Sequence, residues 1–237
     1  MDKVTEYQKG LVSIIIPTKG DRDIGPTLES VRKQSFRNYE IIQIQDKEHR
    51  GAPWARNKGE KQAKGDFILF LDDDIVLDRE YLAKMMKALA SNPKAAYAYC
   101  HYRRKGKFDD VYKSLPFDGE FLRRNHNFIS TMSLMRHADF VPWDEKLKRL
   151  QDWDMWLTLL EKGKKGIFID EILFTANYRG DGITKTDYWY IRNTIDIVRV
   201  KHGMVGQVLK ERTKDVLRPV YRKARKLKIV PDLTRKK

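Results

Sequence analysis

The stretch DFILFLDDDIVL (residues 66–77) joins an apolar run to three adjacent carboxylates. A continuous apolar run such as Phe67 to Leu71 is expected of a strand that is buried on both faces of a parallel sheet. Asp72, Asp73 and Asp74 follow at once, although neighbouring carboxylates repel one another. In an open α/β sheet, ligands bind beyond the carboxyl ends of the strands. The stretch therefore predicts a buried strand that delivers three aspartates to a binding site.

Predicted strands and helices alternate on both sides of this stretch. The first half of the chain predicts four strands, at residues 11–17, 39–45, 66–71 and 94–102. Pro26 and Pro53 suit the first turns of two intervening helices, and Asp78 suits the N-cap of a third. Strands that alternate with helices imply right-handed βαβ crossovers and a parallel sheet. The fold class is therefore predicted to be α/β, with a mostly parallel central sheet flanked by helices.

The second half of the chain is less regular. It predicts a strand at residues 128–135 and a helix at residues 152–163, followed by two short strands between residues 166 and 179. A further helix is predicted to end near residue 203. Nothing marks a clean linker before that point, so the sequence predicts one large domain at residues 1–203 and a tail at residues 204–237.

Composition narrows the class of protein. The chain has 237 residues, 34% of them charged, which is typical of a soluble globular protein. No apolar run approaches the roughly 20 residues that span a bilayer, and the first ten residues lack the apolar core of a secretion signal. The single cysteine, Cys100, excludes an intrachain disulfide and a CxxC metal site. A cytoplasmic location is the expectation.

Positive charge is concentrated in the tail. The formal net charge is +15, and residues 207–237 alone carry twelve Lys or Arg against three acids. Apolar residues recur there at helical spacing, which predicts a basic amphipathic helix that Pro219 kinks or divides. One interpretation is a helix that lies peripherally on an anionic membrane surface. The other is a helix that packs on the catalytic domain or on a second subunit, with solvated charges.

The three aspartates suit a divalent cation. A hard cation neutralises clustered carboxylates and bridges them to phosphate oxygens, and Mg²⁺ commonly binds through one or two carboxylates plus substrate phosphates. The alternative is a solvated turn before the helix capped by Asp78. Polar residues also follow the other predicted strands, at residues 18–21 and at Asp46. This gathering at one predicted sheet edge favours a site for Mn²⁺ or Mg²⁺.

Four segments in order resemble one enzyme family. They are VSIIIPTKGDR (12–22), YEIIQIQD (39–46), GAPWARNKGEKQAKGDFILFLDDDIVL (51–77) and WDEKLKRLQDWDMWLTLLEKG (143–163). Together they are similar to the opening strand, second strand, ARN helix with D-x-D strand end, and acceptor-side helix of the family 2 glycosyltransferases. The likeness runs from about residue 11 to residue 180. It implies the GT-A fold, which is Rossmann-like.

The resemblance also implies a reaction and its residues. The reaction is an inverting transfer of a sugar from a nucleotide-sugar, most often a UDP-sugar, to an acceptor hydroxyl. Asp74 and Asp72 are the implied metal ligands. Asp152 is the implied catalytic base, although a carboxylate at that position can also serve as a helix N-cap. The implied nucleotide-sugar contacts are Pro17, Thr18, Asp46, Arg56, Asp72 and Asp73. For Arg56 two interpretations remain: it supports the aspartates or a phosphate, or it is an ordinary surface arginine.

The sequence departs from the family pattern at two places. The paired acids after the second strand are here Gln45 and Asp46, which leaves the identity of the nucleotide open. The late Arg-x-His element is represented by Arg179 without a histidine, so a protein metal ligand is missing. Arg179 and Trp153 are candidate acceptor contacts, and Trp153 suits either a sugar ring or the core.

The sequence thus predicts a metal-dependent glycosyltransferase with a glycan or lipid-linked acceptor. Three alternatives remain. A nucleotidyltransferase would release pyrophosphate, but such enzymes usually carry a glycine-rich phosphate loop that PTKGDRDIG (17–25) does not match. A nucleic-acid-binding protein suits the net charge, but no specific nucleic-acid motif is present. An inactive sugar-nucleotide binder would not need both Asp74 and Asp152.

Overall fold

The computed structural model describes residues 7–124, 127–178, 188–213 and 215, without the side chains of residues 188–190. The chain divides into two compact units, Met1–Asp187 and Tyr188–Lys237. The second unit thus includes a helix that the sequence prediction had assigned to the larger domain. The functional division predicted after residue 203 stays a prediction.

The first unit is a sheet with helices on both faces. Its strands are β1 (Gln8–Thr18), β2 (Tyr39–Gln45), β3 (Gly65–Phe70), β4 (Ile75–Leu77), β5 (Ala95–Gly106), β6 (Asp110–Tyr112), β7 (Leu134–Arg136) and β8 (Lys165–Tyr178). Its helices are α1 (Gly25–Arg32), α2 (Ala52–Glu60), α3 (Tyr81–Ser91), α4 (Gly119–Arg124) and α5 (Gln151–Glu161), with a 3-10 helix at His137–Asp139.

The sheet is mixed, but its long strands run the same way. The strand order is β2-β1-β3-β7-β5-β8-β4, and β6 pairs with β5. β1 is parallel to β2 and β3, and β5 is parallel to β8. β7 is antiparallel to both β3 and β5, so β3 and β5 point in the same direction. The carboxyl ends of β1, β2, β3, β5 and β8 therefore meet at one edge, which confirms the predicted α/β class.

Both faces of the central strands are buried, which explains their continuous apolar sequences. On one face, Ile14 and Ile16 pack in a cluster with Leu82 and Met85 of α3. On the other face α2 lies so close that a Cβ at Gly59 would lie 2.4 Å from Cγ2 of Ile15. Burial of each such side chain stabilises the fold by about 1.5–3 kcal/mol.

Several predicted boundaries were wrong. The predicted strand at residues 128–135 is only Leu134–Arg136. The two strands predicted between residues 166 and 179 are one strand, β8, because β5 pairs along its whole length through small register shifts. α3 begins at Tyr81, not next to Asp78, and the Asp78 carboxylate accepts the N–H of Glu80 at 3.0 Å.

The second unit contains α6 (Tyr188–Lys201) and a helical segment at residues 205–213. Ion pairs join the two: Arg192 with Glu211 at 2.9 Å and Arg212 with Asp196 at 2.6 Å. Ile197 and Leu209 are 56% and 63% exposed. Within the described ranges, no helix is long and apolar enough to cross a membrane.

Candidate active site

The ends of β1 and β2 form the first part of the candidate site. Pro17 pairs with Ile44 and Thr18 with Gln45 in the parallel ladder. The Asp46 N–H donates to the Thr18 carbonyl at 2.8 Å, which holds the two strand ends together. The predicted nucleotide contacts Pro17, Thr18 and Asp46 therefore do lie side by side at the carboxyl edge.

Asp46 closes the loop that enters α2. Its Oδ1 accepts the N–H of Arg50 at 2.9 Å and its Oδ2 accepts the N–H of Gly51 at 2.6 Å, and the residue is buried. Both carboxylate oxygens are thus engaged by backbone donors that would otherwise be unsatisfied. This structural role was not foreseen from the sequence, and the contact of Asp46 with a nucleotide stays a prediction.

Gly20 makes room for Gln45 beside the first strand end. The φ angle of Gly20 is +81°, and a Cβ there would lie 1.9 Å from Nε2 of Gln45. The Gly20 N–H donates to Oγ1 of Thr18 at 3.1 Å. Gln45, which replaces the first of the family's paired acids, therefore lies over the turn that follows β1.

The aspartate triplet is fixed through its backbone. The Asp73 carbonyl accepts a hydrogen bond from Oγ1 of Thr27 at 3.1 Å. The Asp74 carbonyl accepts the backbone N–H of Asn177 at 3.0 Å. Helix α1 and strand β8 thus hold the turn between β3 and β4 from two sides. The alternative of a freely solvated turn is not favoured.

Burial and neighbouring negative charge act together on the Asp74 carboxylate. Burial, together with the charges of Asp72 and Asp73, raises the pKa of Asp74 to about 6, and the charge of Arg22 opposes this shift. Ionisation of the Asp74 carboxylate therefore costs more free energy in the folded chain than in water, and a nearby cation would lower that cost. A site that must bind a cation together with an anionic ligand has this property.

Two arginines contact the triplet. Nη2 of Arg56 lies 2.7 Å from Oδ1 of Asp72, and Arg56 is only 5% exposed. Nη1 of Arg22 lies 3.6 Å from Oδ1 of Asp73 and 3.7 Å from Oδ2 of Asp74. Arg56 is thus a buried support for the aspartates, not an ordinary surface arginine. Arg22 was missed in the sequence because no short-range pattern places residue 22 beside residue 74.

The donor set fits a cation that is shared with a phosphate. Among the described residues, no group of three or more His, Cys, Asp or Glu side chains is arranged to hold a metal ion by itself. Asp72 and Asp74 remain as two hard oxygen donors at one turn. Mg²⁺ sites in proteins commonly have only one or two carboxylates and complete their coordination with substrate phosphates and water.

Asp152 lies in the first turn of α5, close to the same edge. Nη1 of Arg56 lies 3.4 Å from Oε1 of Gln151, so Arg56 links the aspartate triplet to the start of this helix. The residue before the helix, Leu150, has φ +55° and ψ +26°, a left-handed conformation that is costly outside glycine. Backbone strain of this kind is concentrated at functional sites.

Burial and hydrogen bonding shift the pKa of the Asp152 carboxylate in opposite directions. Burial raises its pKa, whereas the N–H of Trp153, the charge of Arg56 and the amide of Asn127 lower it. Its Oδ1 accepts the Trp153 N–H at 2.9 Å and its Oδ2 accepts Nδ2 of Asn127 at 2.6 Å. The net direction is upward, toward the range in which a carboxylate accepts protons effectively.

Three tyrosines form a row between Asp152 and the triplet. The Tyr112 hydroxyl donates to the carbonyl of Asn127 at 3.0 Å, and Tyr102 stacks on Tyr112 with ring centroids 4.9 Å apart. The Tyr102 hydroxyl is hydrogen bonded to Tyr178. Burial raises the pKa of Tyr178, and the charges of Asp74 and Asp72 raise it further. The row could not be predicted, because it joins residues of three strands.

The candidate acceptor contacts have different outcomes. Trp153 is 1% exposed and its Nε1 donates to the Leu122 carbonyl at 2.8 Å, which favours the core interpretation of its role. Trp156 is also buried, and its Nε1 donates to the Ile129 carbonyl at 3.0 Å. Arg179 lies outside the described residues.

Solved structures show which class of fold this is. Staphylococcus aureus TarS in complex with UDP-GlcNAc superposes with a TM-score of 0.64 at 18% identity, over 80% of this chain and 65% of that one. Mannosyltransferase PcManGT from Pyrobaculum calidifontis, in complex with GDP-Man and Mn²⁺, gives a TM-score of 0.55 at 15% identity, over 81% and 62% of the chains. The fold is the GT-A fold.

Sequence comparisons agree with the fold. Residues 44–143 match the family model described as glycosyl transferase family 2. The putative teichuronic acid biosynthesis glycosyltransferase TuaG of Bacillus subtilis is 27% identical over 204 residues, which cover 72% of this chain and 79% of that protein. The amylovoran biosynthesis glycosyltransferase AmsB of Erwinia amylovora is 21% identical over 227 residues, 75% of each chain. The predicted resemblance to the family 2 glycosyltransferases is confirmed.

Proposed function

We propose that the protein is a metal-dependent, inverting glycosyltransferase that moves a sugar from a nucleotide-diphosphate sugar to an acceptor hydroxyl. The observation that carries the proposal is the position of Arg56, which contacts both Asp72 and Gln151. It joins the aspartate triplet, which suits the donor, to the helix of Asp152, which suits the acceptor. Family, fold and geometry support the same reaction class.

The triplet would serve the donor. Asp72 and Asp74 would hold Mn²⁺ or Mg²⁺, which neutralises the diphosphate leaving group when bound. Arg22 adds a positive charge beside Asp73 and Asp74, and Arg56 neutralises part of Asp72. UDP is the favoured nucleotide, in agreement with the UDP-GlcNAc that TarS binds in its solved structure.

Asp152 would serve the acceptor. A general base takes the proton of the attacking hydroxyl as the new glycosidic bond forms and the bond to the diphosphate breaks. When attack comes from the face opposite the leaving group, the configuration of the anomeric carbon inverts. Asp152 is partly exposed and carries a raised pKa, both of which suit a base.

The acceptor is proposed to be a glycan or a lipid-linked glycan. The partly exposed tyrosine row beside Asp152 offers phenolic hydroxyls, which can accept hydrogen bonds from sugar hydroxyls. Two relatives carry names from polysaccharide biosynthesis, the teichuronic acid and amylovoran enzymes. A surface polysaccharide is therefore the favoured product.

A peripheral position on the cytoplasmic face of a membrane is proposed for the C-terminal unit. Ile197, Val200, Val205 and Leu209 are exposed apolar side chains on its helices. Twelve Lys or Arg against three acids at residues 207–237 would attract an anionic surface, with each residue near the surface worth about 1 kcal/mol. A lipid-linked acceptor would be reached from that position.

The proposed role of the aspartate triplet in donor binding is tested by thermal shift with UDP, GDP, CDP or dTDP in the presence of Mn²⁺ or Mg²⁺. A nucleotide at 100 times its Kd stabilises the folded state by about 2.7 kcal/mol. Wild type should show a metal-dependent shift, and Asp74→Asn should lose it while staying folded. Asp78→Asn is the matched control, because Asp78 follows β4 and its carboxylate accepts the local N–H of Glu80.

An undiminished metal-dependent shift in Asp74→Asn would remove the metal assignment. Turnover separates the remaining alternatives. Release of pyrophosphate from the donor would identify a nucleotidyltransferase, whereas release of the nucleoside diphosphate supports glycosyl transfer.

A further inference from the structure

Asn127 directs one amide hydrogen at the proposed base. Its Oδ1 accepts the N–H of Ile129 at 3.0 Å, and its Nδ2 donates to the Ile129 carbonyl at 2.8 Å and to Oδ2 of Asp152 at 2.6 Å. A backbone N–H can only donate and a carbonyl can only accept, so the orientation of the amide follows from its partners. The bonds to Ile129 therefore fix the amide so that its second hydrogen points toward Asp152.

The loop that carries Asn127 is tied to the base helix at a second point. The Ile129 carbonyl also accepts Nε1 of Trp156 at 3.0 Å, and Trp156 lies one turn after Asp152 on α5. The Asn127 carbonyl accepts the hydroxyl of Tyr112 from β6 at 3.0 Å. These bonds fix the distance between Asn127 and Asp152 before any substrate binds.

The other groups that face Asp152 act differently. From α2, Arg56 contributes a positive charge whose guanidinium is bonded to Asp72 and Gln151. From β6, Tyr112 lies near enough to Asp152 for the aspartate charge to raise the pKa of Tyr112. Its hydroxyl donates to the Asn127 carbonyl and not to Asp152. On α5 itself, the Trp153 N–H binds only Oδ1. Among the described side chains, Asn127 is the one that donates a hydrogen bond to Oδ2 of Asp152.

We infer that Asn127 is a positioning residue, which holds Oδ2 of Asp152 in a fixed direction and keeps the carboxylate ionised until it receives the acceptor's proton. The inference deepens the proposed function and rests on the base role of Asp152. The contact itself does not depend on the identity of the sugar.

The direction in which the pKa of Asp152 changes when the Asn127 donor is removed can be predicted. A hydrogen bond to the ionised form of a carboxylate favours that form, so its loss raises the pKa. Hydrogen bonds to charged groups are among the stronger ones in proteins, so an upward pKa shift of about one unit is expected after water replaces part of the bond. Since a base works only when ionised, the acidic limb of the pH profile of turnover should move up with it.

The experiment is a carboxyl ¹³C NMR titration of Asp152 in the full-length chain, with its signal assigned by Asp152→Asn. Asn127→Ala should raise the pKa of Asp152 by about one unit. Asn127→Asp keeps an oxygen for the Ile129 N–H but replaces the donor by a second carboxylate, so it should raise the pKa further. Asn92→Ala is the matched control, because the Asn92 amide donates to the Ala88 carbonyl at the end of α3.

An unchanged pKa of Asp152 in Asn127→Asp would overturn the inference, and that variant decides the question even if Asn127→Ala does not fold. Metal-dependent UDP binding should be the same as in wild type for both variants. If Asp152→Asn keeps normal turnover, the base role fails, whereas a shifted titration in the Asn127 variants would still establish the contact. The two failures are therefore distinguishable.

Discussion

Arg56→Met removes the side chain that connects the two halves of the site. Loss of one partner of a buried ion pair costs about 3–5 kcal/mol, because the other charge is left unpaired. Here the side chain of Asp72 is 34% exposed, so water compensates part of this cost. The guanidinium also lies 4.7 Å from the Trp143 ring centroid, a contact that is worth about 1–2 kcal/mol when shielded from water.

The methionine restores part of the packing of the arginine stem, so the net loss of stability is expected to be about 3 kcal/mol. For a domain of this size, that corresponds to a fall in Tm of roughly 6–12 °C. Urea unfolding followed by tryptophan fluorescence measures the free energy directly. Arg32→Met, at an exposed position on α1, is the control and should stay within about 0.5 kcal/mol of wild type.

A double-mutant cycle with Asp72→Asn isolates the pair. Residues that share an ion pair show coupling energies of about 0.5–3 kcal/mol, and the 2.7 Å contact between Arg56 and Asp72 predicts the upper part of that range. A loss below about 0.5 kcal/mol for Arg56→Met, or a coupling energy near zero, would refute the claim that Arg56 supports the aspartates.

Three further changes are expected to have distinct results. Gly106→Ala should lose more stability in urea than Gly163→Ala, because both glycines have positive φ but a Cβ at Gly106 would lie 2.1 Å from the backbone oxygen of Tyr178, whereas no atom lies within 4 Å of a Cβ at Gly163; an equal loss would argue against the crowding. Asp74→Asn should raise the Tm of the metal-free protein at pH 7.5, since the pKa of about 6 means that the ionised carboxylate destabilises the fold above that pH. That gain should shrink as the pH falls through 6, and a gain independent of pH would contradict the raised pKa of Asp74. Deletion of residues 216–237 should abolish sedimentation with anionic liposomes at low salt while sparing nucleotide binding; equal sedimentation would show that this segment is not the anchor.

The first half of the fold could be predicted because each strand carries its own signal. Leu11 to Pro17 and Phe67 to Leu71 are apolar throughout, as burial on both faces requires. The gathering of Thr18, Asp46 and Asp72 at one edge then follows from parallel strands alone. This is the part of the site that the structure reproduces most directly.

The rest depends on contacts between distant residues. β7 is three residues long and pairs antiparallel with both β3 and β5, so no local alternation marks its bounds. Asn127 has no pattern that relates it to Asp152, since the contact depends on the path of a loop. Trp153 was ambiguous because aromatic side chains suit both a core and a sugar, and its burial follows from packing under α4.

The central claim is that the aspartate triplet serves the donor and Asp152 serves the transfer. It is tested most directly by measuring, in Asp152→Asn, both metal-dependent nucleotide binding and release of nucleoside diphosphate from the nucleotide-sugar, with water as the acceptor if no other is known. Asp170→Asn, at an exposed carboxylate on β8, is the control. Binding should equal that of wild type, and turnover should fall by about 10²-fold or more. Equal losses of binding and turnover, or near-normal turnover, would contradict the assignment.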